Sequence, residues 1–315
     1  MSNWKVLIND GFEESGQQAL INAGFEIITQ KIPQEDLANR IFEFDGIIIR
    51  SATKITREII SNGSQLKFIA RAGVGLDNVD LKTAKEYNIP VLNTPGASSR
   101  SVAELAMSHL MTLTRSLQLT NRELKDAQSF SHLKKKLSNA SEVKGKKVAL
   151  LGFGRIGLEF AKMCIGLEMK VLVVDPFISD ANISLNLAQQ NFTYKLPIYT
   201  LDEALQVADY ISIHAPFVNK PILDKERILK IKKGCILINT SRGENIDENA
   251  LLEALENETI AAAGLDVFHH EPNIHSALVG HPKISISPHI AASTKEAQIR
   301  IAEEMVAKII NLKNT

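Results

Sequence analysis

The run KVALLGFGRIGLEFAKMCIGLEMKVLVVDPF, residues 147–177, limits what this 315-residue chain can fold into more than any other stretch. It reads as a strand, a glycine turn, a helix and a second strand, the opening unit of a doubly wound parallel sheet. In GFGRIG, Gly152, Gly154 and Gly157 have the G-x-G-x-x-G spacing. The first glycine allows the tight turn, the second lets the backbone approach a pyrophosphate, and the third lets helix and strand pack closely. The N–H groups at the helix start, with the helix dipole behind them, favour phosphate. The second strand ends at Asp175, 18 residues past Gly157, close to the roughly 20 expected for the acid that binds the ribose hydroxyls. A carboxylate there repels a 2′-phosphate, so the expected cofactor is NAD. Asp175 can also cap the turn before Pro176, and the two roles are compatible. Arg155, inside the turn, is placed to lie along the pyrophosphate.

This fingerprint begins almost halfway along the chain. The residues before it alternate between short β-rich runs, at 5–10, 25–30, 45–51, 66–73 and 89–96, and stretches of helical spacing. Near-continuous apolar strands separated by helices imply a parallel sheet covered on both faces. A long helical pattern follows over 101–127, then a polar, basic surface connection up to 147. Beyond it, strands are predicted at 147–151, 170–175, 209–214, 235–240, 261–266 and 283–287, with helices between them and a last helix closing the chain. The fold class is α/β, with two Rossmann-like or flavodoxin-like doubly wound domains.

Composition narrows the partners. The 36 basic and 36 acidic side chains cancel, which gives no support for nucleic acid or a membrane surface. No run approaches the roughly 20 apolar residues of a membrane helix, and the N-terminus, with an acid at Asp10, is not a signal peptide. Cys164 and Cys235 sit among apolar residues and read as buried, reduced thiols. A cytoplasmic location is expected, and no metal.

NAD carries hydride, so the site needs an acid or base and an anchor for a carboxylate or carbonyl. Three stretches supply such groups at or just past strand ends, where ligands bind in open α/β sheets. CILINTSRGENID offers Arg242, whose guanidinium can grip a carboxylate with two N–H bonds. AAAGLDVFHHEP offers Asp266 and Glu271. ISISPHIAAST offers His289, a proton donor and acceptor near neutral pH, which a neighbouring carboxylate would orient and favour as imidazolium. Of the other histidines, His109 and His132 read as packed or surface residues, and His269, His270, His275 and His281 as loop positions.

Taken together, LLGFGRIG, NTSRGENIDENALLEAL, GLDVFHHEP and SPHIAASTKEAQ resemble the D-isomer-specific 2-hydroxyacid dehydrogenase family, in its order and spacing over essentially the whole chain. IIIRSATKIT, ARAGVGLDNVD and STKEAQ resemble its phosphoglycerate dehydrogenase branch. The resemblance implies that residues 1–98 and 291–315 form a discontinuous substrate domain, with an NAD-binding domain, 99–290, inserted into it and the active site in the cleft between. It implies that Arg242 binds the substrate carboxylate and C2 oxygen, that His289 is the general acid/base, and that Glu271 pairs with His289. It places Arg155, Ile156 and Asp175 at the pyrophosphate and ribose, His214, Ala215 and Pro216 near the adenosine, and Thr240, Asp266 and Ala292 near the nicotinamide end. Val74 and Gly75 would touch the substrate carboxylate. Arg50, with Ser51 beside it, would reach a substrate phosphate. Arg71 and the triplet Lys134, Lys135 and Lys136 are further basic candidates, although the segment holding the lysines lacks the family's usual tryptophan.

The implied reaction is hydride transfer between 3-phosphoglycerate and 3-phosphohydroxypyruvate, the first step of serine synthesis, by a homodimer joined through the nucleotide domain. Dehydrogenases of hydroxypyruvate, glyoxylate or another small 2-keto acid are the alternative, since the chain ends without the C-terminal regulatory domain of many phosphoglycerate enzymes. Glu271 argues against a formate dehydrogenase, which resembles a Gln–His pairing. A non-enzymatic NAD sensor, like corepressors related to the family, is the alternative of another class.

Overall fold

In the computed structural model, residues 3–138, 140–187 and 189–315 are described. The chain divides into two compact units, Met1–Ser99 with Ala292–Thr315, and Arg100–Ala291.

The first unit opens with β1 (Trp4–Ile8), α1 (Glu14–Asn22), β2 (Phe25–Ile28), α2 (Gln34–Arg40), β3 (Gly46–Ile49), α3 (Arg57–Asn62), β4 (Phe68–Arg71), α4 (Leu81–Glu86) and β5 (Val91–Asn93). The strands form one parallel sheet in the order β2-β1-β3-β4-β5, the flavodoxin-like winding. Successive side chains of a strand point to opposite faces. Val6 and Ile8 therefore join one apolar cluster with Phe68 and Ile48, while Leu7 joins the opposite one with Ile47 and Ile49. Burial on both faces explains the unbroken apolar runs of the sequence. The C-terminal helix, Lys295–Asn314, returns to this unit and sets Ile301, Met305 and Ile309 into the first cluster.

The second unit begins with α5 (Ser99–Thr114), α6 (Leu117–Glu123) and α7 (Ala127–Lys136). The single helix expected over 101–127 is broken at Ser116, which adopts left-handed φ 50 and ψ 35. The basic connection expected after it contains α7, started by a capping box between Asp126 and Ser129. Next come β6 (Lys147–Leu151), α8 (Arg155–Gly166), β7 (Lys170–Val174), β8 (Asn182–Leu187), β9 (Gln190–Lys195), α9 (Leu201–Val207), β10 (Tyr210–Ile213), α10 (Lys225–Ile228), β11 (Cys235–Asn239), α11 (Glu248–Glu256), β12 (Ile260–Leu265) and β13 (Ile284–Ile286). The C-terminal helix is then α12. All six strands predicted for this half enter one parallel sheet, ordered β13-β12-β11-β10-β6-β7. Ile198 adds a parallel bridge to Val173 beyond β7. The chain leaves β6 toward β7 and comes back to β10 on the other side, so the winding reverses between β6 and β10. Strands β8 and β9 form a separate antiparallel hairpin that the sequence reading did not anticipate.

Candidate functional site

The winding reversal brings the ends of β6 and β10 together, and the glycine turn lies there. Gly152 has φ +101, and a Cβ on it would lie 2.7 Å from the Ala215 nitrogen. A Cβ on Gly157 would lie 2.3 Å from the Gly152 carbonyl oxygen. Both positions therefore require glycine to bring helix, turn and the His214–Pro216 loop into contact. Gly154 is different: a Cβ there would meet nothing within 4 Å. It is the N-cap of α8, makes no side-chain cap bond, and no acid occupies the first turn of the helix. The start of α8 thus has no acid of its own and no cap side chain to bond its leading N–H groups, and an anionic pyrophosphate fits them. Arg155 is exposed and Ile156 half-buried beside this opening. Asp175 sits next to the turn, where its Oδ2 accepts the Phe153 N–H at 2.9 Å and its Oδ1 accepts the Phe177 N–H at 3.0 Å. Each oxygen keeps lone-pair capacity for ribose hydroxyls.

The ends of β10, β11 and β12 carry the remaining groups. His214 packs against Phe160 with ring centroids 4.9 Å apart. Both ring nitrogens are enclosed without a hydrogen-bond partner, and burial pushes its pKa down to about 3. Thr240 has a buried hydroxyl, also without a partner, at the end of β11 where the nicotinamide was expected. Asp266 is fully buried. Its Oδ1 accepts from Ser287 Oγ at 2.6 Å and the Ile290 N–H at 2.9 Å, and its Oδ2 accepts the Ala291 N–H at 3.0 Å.

Three expected catalytic side chains meet in this unit. His289 Nδ1 lies 2.7 Å from Glu271 Oε2, and the second oxygen of Glu271 accepts the Phe268 N–H at 3.0 Å. Burial raises the Glu271 pKa, but the bonds from His289 and Phe268 and the charges of His289 and Arg242 outweigh it, leaving it below the ordinary carboxylate range. Arg242 follows β11 and donates through Nη1 to the Ser241 carbonyl at 2.6 Å. His289 has φ +53, a conformation that costs free energy in a non-glycine residue and that surrounding bonds must impose. Its N–H donates to the Asp266 carbonyl at 2.8 Å.

Several supporting residues escaped the sequence reading. Gly243 is needed because a Cβ would come within 2.0 Å of the Phe268 backbone, so the Arg242 loop presses directly on the strand of chain leading to Glu271. Asn239 accepts from the Ser241 N–H and hydroxyl and donates to the Arg242 carbonyl at 2.8 Å. Asn245 donates to the Ala215 carbonyl at 2.9 Å and to Ser241 Oγ at 3.1 Å, tying the β10 and β11 loops together. The only available signal was their nearness to Arg242 in NTSRGEN.

The expected substrate-domain residues belong to the first unit. Arg50 follows β3, and its backbone N–H and that of Thr53 both donate to Asp10 Oδ2, at 2.8 and 2.9 Å. Asn78 donates to the carbonyls of Arg50 and Thr53. Ser51 is exposed. The Val74 carbonyl accepts from Asn93 at 2.7 Å, and Gly75 follows in the same half-buried loop. Arg71 ends β4, paired in register with Ile49 of β3. Ala292 also falls in this unit, its carbonyl accepting from Gln298. The lysine triplet forms the last turn of α7, with Lys136 3.8 Å from Glu123. Among the described residues no cluster could hold a metal ion, and no helix is long and apolar enough to cross a membrane.

A doubly wound sheet with an uncapped glycine turn at its winding reversal defines a dinucleotide-binding protein. The model of the D-isomer specific 2-hydroxyacid dehydrogenase NAD binding domain matches residues 107–291. A hydroxypyruvate reductase from Thermotoga maritima is 39% identical over 98% of this chain and 98% of its own length. A D-3-phosphoglycerate dehydrogenase from Bacillus subtilis is 37% identical over 98% of this chain, which spans 56% of that longer protein. The structure of D-mandelate dehydrogenase from Rhodotorula graminis aligns with a TM-score of 0.86 over 98% of this chain and 94% of that one; at 22% identity it shows the fold alone. This chain belongs to the D-isomer specific 2-hydroxyacid dehydrogenase family, and it is an NAD-dependent oxidoreductase.

Proposed function

We propose that the chain interconverts 3-phosphoglycerate and 3-phosphohydroxypyruvate with NAD, the first step of serine synthesis, in the cytoplasm. The observation that carries the chemistry is the 2.7 Å bond between His289 and Glu271, close enough to Arg242 for its charge to act on Glu271. Bound NAD supplies the hydride-accepting ring. With Nδ1 engaged by Glu271, His289 holds or accepts the substrate C2–O proton at Nε2. Glu271 stabilises the imidazolium that results. Arg242 grips the substrate carboxylate through its planar fork. Asp175 binds the ribose, Arg155 and Ile156 flank the pyrophosphate, His214, Ala215 and Pro216 border the adenosine, and Thr240, Asp266 and Ala292 serve the nicotinamide end.

The phosphate is assigned to Arg50 and its neighbour Ser51. Two arginines, Arg50 and Arg71, stand at the ends of adjacent strands, and the Arg50 backbone is fixed by Asp10 and Asn78. Val74 and Gly75 are assigned to the carboxylate. A second reading, hydroxypyruvate reduction, is favoured by the Thermotoga relative, which aligns along its whole length. Both named relatives point to the same three-carbon 2-keto acid skeleton, differing in a phosphate. NADH oxidation with 3-phosphohydroxypyruvate, hydroxypyruvate, glyoxylate and pyruvate, compared by kcat/KM, tests the choice. A preference for the phosphorylated acid, lost in Arg50→Ala, supports the first reading. A preference for an unphosphorylated acid, or an unchanged KM in Arg50→Ala, removes the phosphate assignment.

A homodimer is part of the proposal. Val102, Ala103, Ala106, Leu110 and Leu113 of α5 are buried, but Met111, Leu117, Leu124 and Phe130, between 111 and 130, stay exposed, apolar side chains of the kind that a second copy would cover. A monomeric mass by light scattering would remove it.

A further inference from the structure

His109 lies on α5 and has no part in the chemistry above. It is buried, with Nδ1 2.9 Å from Ser285 Oγ and Nε2 3.0 Å from Ser287 Oγ. The direction of these bonds can be deduced. Ser287 Oγ is 2.6 Å from Asp266 Oδ1, an oxygen that also accepts the Ile290 N–H, so the Ser287 hydroxyl proton points to Asp266. Ser287 Oγ must then accept from His109, which places a hydrogen on Nε2. Burial lowers the His109 pKa against the opposing pull of the Asp266 charge, so the ring is neutral near pH 7. Nδ1 is then an acceptor, served by the Ser285 hydroxyl. One tautomer satisfies every partner, and the bonds run one way: Ser285 to His109, His109 to Ser287, Ser287 to Asp266.

Asp266 is where this chain of bonds meets the site. Its carbonyl accepts the His289 N–H, and its carboxylate accepts the N–H groups of Ile290 and Ala291. Those three bonds hold His289 at its positive φ. The sequence makes room for the device: a Cβ on Gly264 would lie 2.6 Å from the His109 Cβ.

We propose that His109 is a positioning residue of the reaction, which fixes the Ser287 hydroxyl on Asp266 and thereby holds the backbone that presents His289 to Glu271. The inference rests on the reading of His289 as the acid/base. Its test uses the full chain and four single variants, with active sites counted by NADH fluorescence titration. His109→Leu and Ser287→Ala should each lower kcat about 10-fold with KM little changed, since a displacement of a fraction of an ångström at a reacting group carries a cost of this order. The double variant should be no worse than either single one. His109→Gln, which keeps a donor near the Nε2 position, should recover most of the loss. Histidine 15N shifts should show His109 protonated on Nε2 alone at pH 7. An unchanged kcat, additive losses, a Gln variant as impaired as Leu, or the opposite tautomer each overturns the proposal. If His109→Leu fails to fold, Ser287→Ala cuts the same link and decides. His289→Asn separates the two readings: retained turnover there defeats the acid/base assignment, whereas a dead His289→Asn beside a fully active Ser287→Ala defeats only the role of His109.

Discussion

The two units wind a parallel sheet in similar ways, yet they treat the first turn of that sheet oppositely. After β1, the polar groups are closed upon the protein itself. Asn9 donates to the Ile32 carbonyl and Thr53 Oγ1 and accepts the Ile32 N–H. Asp10 takes the N–H groups of Arg50 and Thr53. The Glu13 side chain caps α1, and Glu14 adds a second acid to its first turn. After β6, the equivalent helix starts at Gly154 with no side-chain cap bond and no acid in its first turn, and beyond this turn, at the ends of β10 and β11, orphaned polar atoms persist on His214 and Thr240. Buried polar groups are normally paired, and helix N-termini normally find an acceptor. One turn is satisfied by its own side chains, while the other is left for a ligand. The same architecture therefore reads as scaffold in one place and binding site in the other, and the distinction lies in the unmet bonds rather than in the fold.

The strongest way to break this comparison is at the proposed acid/base chemistry, which is assigned to the second unit. His289→Asn should lower kcat by about 10²- to 10⁴-fold, the range of a general acid/base group, while NADH binding by fluorescence stays near wild type. Turnover near wild type would leave the second unit a binding fold without the assigned proton carrier.

Next comes the cap itself. Gly154→Asp should give α8 what Glu13 gives α1. The position has φ −75 and space for a side chain, so the chain should fold. The new carboxylate would occupy the N–H groups and repel pyrophosphate, weakening NADH binding by about 100-fold, since like-charge juxtaposition costs several kcal/mol. Glu13→Ala should lower stability slightly, by loss of the bond to the Ser15 N–H, and leave NADH affinity alone. Equal affinity in wild type and Gly154→Asp would mean that α8 does not bind the phosphates.

The glycines sharpen the comparison at the level of backbone. Gly11 and Gly152 both have positive φ, +79 and +101. A Cβ at Gly11 meets nothing within 4 Å, while one at Gly152 strikes the Ala215 nitrogen. Gly11→Ala should cost about 1 kcal/mol, the price of left-handed backbone alone. Gly152→Ala should cost about 3 kcal/mol or more, because strain and collision add. Urea unfolding measures both, and equal losses would show that the β10 loop yields freely.

Much of this was legible in the sequence for a physical reason. Strands buried on both faces give unbroken apolar runs, so all six strands of the second sheet could be read, and a glycine turn between strand and helix has few other uses. What escaped depends on contacts between distant segments. The break at Ser116 carries no glycine or proline to mark it, only a serine in left-handed geometry. The β8–β9 hairpin does alternate, with Ile183 buried between exposed Asn182 and Ser184, but Gln189 takes positive φ near its turn, where Asn-Gly would have been a recognisable signal. In the site, Arg242, Glu271 and His289 stood in distinctive motifs. Gly243 and Asn245 acquire meaning only from the Phe268 and Ala215 backbone beside them, and His109 only from two serines about 180 residues away in sequence.

A last effect, seen only as a change of stability with pH, concerns two buried polar groups, Asn9 after β1 and His214 after β10. Asn9 is fully bonded and does not titrate. His214 is unpartnered, and burial depresses its pKa from 6.5 to about 3. Its stability consequence has a definite sign. Above pH 6.5 the ring is neutral in folded and unfolded chains alike. As pH falls below that value the unfolded chain takes up a proton that the folded chain refuses, so stability declines until about pH 3. At pH 5 the loss is about 2 kcal/mol, at 1.36 kcal/mol per unit. His214→Leu removes the titration together with two unmet polar atoms, so its unfolding free energy should change less between pH 7 and pH 5 than that of the wild type. An Asn9→Leu variant should instead keep the wild-type pH slope while losing stability at every pH, because it strands the Ile32 N–H and carbonyl. If His214→Leu keeps the full acid slope, the ring nitrogens of His214 reach a proton acceptor in the folded protein, and the contrast between a closed turn and an open one loses its clearest thermodynamic mark.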